Sequence, residues 1–342
     1  MRRCFALALL SAALAFAPPA PAAPLATRDT TRLGVPFQRW TTPDRFGRTI
    51  TFYLSVPRDS LAGRALPLVL VIDGSGSQSV WTRVGERLGG SHQNLMLRAA
   101  RGRARVLIVE KPGVAFAVQP KQPGSAEEAS PEFLAEHTLE RWSEANAAAL
   151  RATLALPGID RAHVLVCGHS EGAGVAARVA ALCPEVTHVA SLAGGGPTQL
   201  FDLAELQGAP QPGDSAGAAA ARRQSVYDEW ARIRADSTST TRFWLGHPYR
   251  RWATFGAHDV LPDLLATRAR VYLAHGTADR AVPVVAFDVL RAQLAARGRA
   301  ATIERVEGVD HGFFGPEGPP RDGKPAGVEL VFGRVLEWFA ND

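Results

Sequence analysis

Lysine is almost missing from this chain. It occurs only at Lys111, Lys121 and Lys324, so nearly all of the 38 basic residues are arginine, set against 33 acidic ones. The net charge of +5 is spread over 342 residues, and it falls to 5 − 2 = +3 without Arg2 and Arg3. No dense basic run remains, so a nucleic-acid partner is not expected. Cysteine is also scarce, with three in all: Cys4, Cys167 and Cys183. That excludes a disulfide scaffold, and no Cys or His cluster has metal-ligand spacing, so neither metal nor other cofactor is expected. If Cys167 ends a strand and Cys183 the following helix, about 12 helical residues separate them by roughly 18 Å. A disulfide tolerates about 7 Å between Cα atoms, so two unpaired thiols are predicted. Long apolar runs are absent too. The longest, Ala6–Ala17, is shorter than the roughly 20 residues that span a bilayer, and stable membrane insertion is not expected.

That run has another reading. Arg2 and Arg3 form a charged start, Ala6–Ala17 an apolar centre, and Ala20-Pro21-Ala22 a small-residue cleavage site. Residues 1–22 therefore read as a signal peptide, and the protein as exported, to the periplasm or the medium. Residues 23–342 are left for one large domain. An apolar content of 46% is ample for its core.

Apolar, β-rich runs occur at Ile50–Val56, Leu66–Ile72, Arg105–Val109, His163–Cys167, His188–Leu192, Arg270–Ala274 and Ala301–Val306. Helical patterns lie between them at Pro131–Leu154, Gly172–Leu182, Val284–Arg297 and Val328–Phe339. Such alternation predicts an α/β fold with a doubly wound, mostly parallel sheet, Ile50–Val56 forming an antiparallel edge. Residues 197–267 break the rhythm. A Gly/Pro/Ala-rich passage, Gln207–Ala221, precedes a helical pattern at Arg222–Ala235 and an aromatic segment, Phe243–Trp252. An insertion this long is usually functional and reads as a helical lid. Phe243, Trp244, Tyr249 and Trp252 then become candidates for a substrate pocket, with the lid's own core as the alternative. Arg250 and Arg251 read as solvated, with an anionic substrate group as the alternative partner.

The strongest local signal is Gly168-His169-Ser170-Glu171-Gly172, which follows an apolar strand and opens a small-residue helix. In that context G-x-S-x-G is a strained strand-to-helix turn that lifts the serine above a sheet. A serine hydroxyl needs a base, and the base an orienting acid. Asp279 follows strand Arg270–Ala274 and His311 follows strand Ala301–Val306, which gives the chain order Ser, Asp, His. Asp310 adjoins His311 but is poorly placed to orient its ring and is expected to bond local backbone. His275 and His169 read as packed structural residues. Oxyanion donors are expected from the backbone N–H of Glu171 and from the Gly-rich loop Asp73-Gly74-Ser75-Gly76, at Ser75.

With Asp73-Gly74-Ser75-Gly76, Gly168-His169-Ser170-Glu171-Gly172, His275-Gly276-Thr277-Ala278-Asp279 and Asp310-His311-Gly312 in hand, the chain resembles the α/β-hydrolase superfamily from about Leu66 to Ala340. Its H-G-x-x-D and D-H-G-F patterns are most similar to the prolyl-oligopeptidase and dienelactone-hydrolase branches, without room for a β-propeller. Asp73 stands where many relatives carry histidine. The resemblance implies ester, thioester or amide hydrolysis. The leading expectation is a serine hydrolase with catalytic Ser170, Asp279 and His311, acting on a small-molecule ester. A peptidase or aminopeptidase taking a short acyl-peptide substrate is the second reading, although the acidic pair Glu127-Glu128 looks like surface. A binding module on a dead scaffold is the third. Nothing in the sequence specifies an oligomeric state.

Overall fold

The structure is a computed structural model that describes residues 26–29, 33–320 and 324–341. Residues 1–22, read from the sequence as a signal peptide, lie outside the described residues. A nine-stranded sheet forms the centre. Its strands are β1 (Thr27–Arg28), β2 (Phe37–Pro43), β3 (Thr49–Ser55), β4 (Leu66–Ile72), β5 (Arg105–Val109), β6 (Ile159–His169), β7 (His188–Leu192), β8 (Arg270–Gly276) and β9 (Thr302–Val306). They lie side by side in the order β1-β2-β3-β5-β4-β6-β7-β8-β9. From β5 onward every pairing is parallel; β1, β2 and β3 join antiparallel at one edge. The doubly wound, mostly parallel sheet expected from the sequence is therefore present. Its antiparallel edge is larger than expected. Phe37–Pro43 pairs along its whole length with Thr49–Ser55, although its polar content hid it.

The helices are α1 (His92–Ala100), α2 (Pro131–Glu136), α3 (Leu139–Leu154), α4 (Glu171–Leu182), α5 (Gln199–Gln207), α6 (Ala218–Ala235), α7 (Tyr249–Phe255), α8 (Val260–Ala266), α9 (Val284–Ala296) and α10 (Val328–Ala340). Strand periodicity divides the core between the two faces of the sheet. Leu68, Leu70 and Ile72 of β4 join Leu150 of α3, Val175 of α4 and Phe287 of α9 on one face. Val69 and Val71 join Met96 of α1 and Phe332 of α10 on the other. Because β4, β5, β7, β8 and residues 164–169 of β6 are nearly all buried, apolar residues dominate their sequences. Among the described residues no helix is long and apolar enough to cross a membrane.

Two boundaries differ from the sequence reading. The pattern Pro131–Leu154 is not one helix, because the chain turns at His137 and Thr138. Ser130 caps α2 by accepting from the Phe133 N–H, and Thr138 caps α3 by accepting from the Arg141 N–H. The stretch 197–267 holds four helices where one was expected, α5 through α8. Cys167 and Cys183 are buried and unpaired.

Parallel pairing aligns the carboxyl ends of the strands. Ile72 pairs with Gly168, His169 with Leu192, and Gly276 with Val306. The loops that follow therefore emerge along one edge. At the centre of that edge packing is tight. A Cβ at Gly168 would lie 1.9 Å from the Gly172 carbonyl oxygen, and one at Gly172 would lie 2.2 Å from that of Ile72. Both obstacles are backbone and cannot swing aside. Gly172→Ala is accordingly expected to cost about 3 kcal/mol or more of stability. Urea unfolding checks this, and a loss under about 1 kcal/mol would show that the elbow yields.

Candidate active site

Four strand ends supply the site. The chain leaves β6 at His169 and enters α4 at Glu171, so Ser170 must turn the backbone within a single residue. It does so at φ 58° and ψ −124°, a region that a side chain seldom occupies. Its N–H donates to the Leu192 carbonyl at 2.9 Å, which ties the turn to β7. Gly74, on the loop after β4, comes so close that a Cβ there would lie 3.2 Å from Ser170 Cβ.

The loop after β8 carries Asp279 and the loop after β9 carries His311. His311 Nδ1 lies 2.8 Å from Asp279 Oδ2. The other oxygen, Oδ1, accepts from the N–H groups of Ala281 at 2.8 Å and Val282 at 2.9 Å. Burial would raise this carboxyl, but His311 and the two backbone donors outweigh it and hold Asp279 below the usual carboxylate range. The His311 ring stays partly exposed. His169 fixes the loop from behind: its Nε2 is 2.8 Å from the His311 carbonyl oxygen. Burial pushes His169 down to about 3, so the neutral ring donates that bond. His275 is fully buried against the Val282 carbonyl. Asp310 Oδ1 accepts from the N–H groups of Gly312 and Phe314.

A buried charge network lies behind Ser170. The Glu171 carboxylate receives Arg251 Nη2 at 2.6 Å and Nε at 3.1 Å, and it meets His137 Nε2 at 3.0 Å. Lys111 Nζ stands 3.9 Å away. Burial alone would raise Glu171; His137, Arg251 and Lys111 reverse that and hold it well below the usual range. Burial pushes His137 down to about 4, which leaves its ring a neutral donor. Lys111 also donates to the carbonyls of Gly74 at 2.6 Å and Gly76 at 2.8 Å. In a trans peptide the N–H opposes the C=O of the same unit, so the Ser75 N–H faces away from Lys111. Arg251, for which the sequence offered solvent or an anionic substrate group, is instead buried against Glu171, and Arg250 donates to the Ala135 carbonyl.

Ser75, Ser170, Glu171 and His311 line one cavity of about 640 Å³. Its far wall comes from the insertion, but not through the aromatic set expected. Of the four candidates only Trp252 lines it; Leu245, His247 and Arg251 do so instead. Phe243, Trp244 and Tyr249 are corrected out of the pocket. Tyr249 and Trp252 pack with Ile233 of α6 and with Trp244 as a small core of the insertion itself. Phe243 and Trp244 form a short hairpin with His247 and Pro248. Most of the aromatics that the sequence offered as pocket wall are thus spent on joining the hairpin and α7 to α6.

The known proteins agree with this architecture. The chain has the α/β-hydrolase fold. Residues 259–342 match the Dienelactone hydrolase family. No curated protein matches the sequence. Among solved structures, dipeptidyl peptidase 4 from Porphyromonas gingivalis aligns with a TM-score of 0.57 at 14% identity, over 90% of this chain and 35% of its own. The chain thus spans about a third of that protein. Est1E from Butyrivibrio proteoclasticus aligns at 0.52 and 15%, over 89% of this chain and 97% of its own. Acetyl xylan esterase 1 from Thermoanaerobacterium aligns at 0.52 and 16%, over 92% and 87%.

Two outcomes follow from the network. Glu171→Gln leaves Arg251 and Lys111 buried without their counter-charge, and about 3–5 kcal/mol of stability should be lost; a change below about 1 kcal/mol in urea unfolding would contradict the pairing. Acid should also unfold the protein early. His137, His169, His188, His247 and His275 are all held below 6.5, so the unfolded chain takes protons that the folded one refuses. Glu110 and Asp202, raised to about 7, act in the opposite sense but are outnumbered. Stability should therefore fall as pH drops from about 6.5 toward 4. Urea midpoints that stay flat or rise over that window would contradict it.

Proposed function

We propose that this protein is a serine hydrolase that cleaves a small or medium carboxylic ester through an acyl-enzyme. The observation that carries the reading is the Asp279–His311 bond at the wall of a cavity that Ser170 lines from a strained turn. Ser170 Oγ attacks the ester carbonyl while His311 Nε2 takes its proton. Negative charge then gathers on the carbonyl oxygen, and the N–H groups of Glu171 and Ser75 receive it. His311 returns the proton to the departing alcohol, and an acyl group remains on Ser170. Water, deprotonated by His311, releases the acid and restores the serine. Asp279 fixes the tautomer of His311 and balances the imidazolium in both halves.

Helices α5 through α7 of the insertion act as a lid that shapes the acyl and alcohol sites. In this reading the enzyme works outside the cytoplasm after loss of residues 1–22. The acetyl xylan esterase, 87% of whose length the chain covers, supports ester over amide. The dipeptidyl peptidase keeps a peptide substrate as the second reading.

A graded series of p-nitrophenyl esters assayed beside aminoacyl p-nitroanilides tests the ordering. Esters should be turned over and anilides far more slowly; comparable anilide turnover would make the protein a peptidase. Ser170→Ala and His311→Ala should each lower kcat by about ten-thousandfold or more, and Asp279→Asn by a similar order. Retention of a tenth of the wild-type rate by any of them would remove that residue from the mechanism.

A further inference from the structure

The cavity holds a carboxylate that the proposed chemistry does not use. Asp202, on α5, is 4% exposed and lines the cavity beside Gly195, Ala281 and Val282. Its Oδ1 is buried with no hydrogen-bond partner among the described residues. Gly195 makes room for it, since a Cβ there would lie 2.6 Å from Asp202 Oδ2. One turn earlier on the same helix, Gln199 lines the same cavity, and its Oε1 is likewise buried and unpartnered. The two orphaned acceptors stand at i and i+3 of α5, one turn apart, on residues that line the cavity. Leaving both unmet costs free energy that a matching ligand would recover.

The charge around them indicates what that ligand is. Arg251 contributes positive charge to the lining, but Glu171 accepts two of its hydrogen bonds and balances it. Lys111 is turned toward the Gly74 and Gly76 carbonyls, and Asp73 is met by His92. Asp279 is spent on His311 and two backbone donors. That leaves Asp202 and the exposed Glu127 as the lining charges without an opposite partner among the described residues, and both are negative. Burial and the nearby Asp279 raise Asp202 to about 7, as expected of a carboxyl that lacks a cation.

We propose that Asp202 and Gln199 form a subsite for a protonated amino group, and that the preferred substrates are esters bearing such a cation. An ammonium group offers three donors and a charge, enough to serve both acceptors at once. The substrate class rests on the hydrolase reading given above; the binding subsite does not. Asp202 had no sequence signature, because it falls in the stretch 197–267 where no motif marks it.

Matched rigid esters test the proposal on each side of the scissile bond. On the alcohol side these are para-(aminomethyl)phenyl acetate, para-ethylphenyl acetate and para-(carboxymethyl)phenyl acetate. On the acyl side they are the p-nitrophenyl esters of para-(aminomethyl)benzoate and para-ethylbenzoate. Wild type should prefer the ammonium member of at least one set by about tenfold or more in kcat/KM, chiefly through KM. In Asp202→Asn that ratio should fall to about one, a comparison that holds whatever the variant's absolute rate. Equal values in both sets, a preference for the carboxylate ester, or a preference that survives Asp202→Asn would overturn the subsite. Calorimetry with benzylammonium chloride judges it without catalysis: binding to wild type and to Ser170→Ala, but not to folded Asp202→Asn, is the predicted pattern. No binding to wild type sinks it. If every ester is left intact while benzylammonium binds as predicted, the hydrolase reading fails and the amine subsite stands.

Discussion

A single carboxylate, buried directly behind the candidate nucleophile, joins three parts of the chain that lie far apart in sequence. Glu171 is bonded by Arg251 from the insertion and by His137 from the turn between α2 and α3, and it is faced by Lys111 from beyond β5. Lys111 in turn holds the Gly74 and Gly76 carbonyls, and so sets the direction of the Ser75 amide. Glu171 is also the residue whose own N–H follows Ser170. Charge buried this deeply is tolerated only when it is matched on all sides. The placement of the loop after β4, the elbow and the insertion is therefore one electrostatic problem with one solution.

The elbow supplies the second constraint. Ser170 keeps its positive φ because Gly168 and Gly172 let β6, α4 and the end of β4 approach to backbone contact. Parallel pairing then brings the loops bearing Asp279 and His311 to the same edge, where His169 pins one of them by its carbonyl. Rigidity at this edge comes from main-chain packing; chemical character comes from the few charged side chains placed above it.

Ser170, Asp279 and His311 were legible from sequence for a local reason. Each follows an apolar strand by a short loop, and sheet order does the rest. The break at His137 and Thr138 was hidden because apolar spacing continues across it; the caps at Ser130 and Thr138 were the available signal. The partners of Glu171 were not legible, since they come from positions 111, 137 and 251, and no local pattern links them. The aromatics of the insertion misled for the opposite reason. Aromatic side chains gathered in a short stretch suit a pocket and a small core equally well, and packing against Ile233 decided between them. Helix α5, with Asp202, carries no pattern that stands out beside the Gly/Pro/Ala-rich passage Gln207–Ala221.

The central claim is that Ser170 is a nucleophile activated by His311. Labelling the folded protein with a fluorophosphonate and locating the adduct by peptide mass spectrometry tests it most directly. One phosphonyl group is expected, carried by Ser170, absent from Ser170→Ala and strongly slowed in His311→Ala. An unlabelled wild type, or an adduct on any other residue, would contradict it.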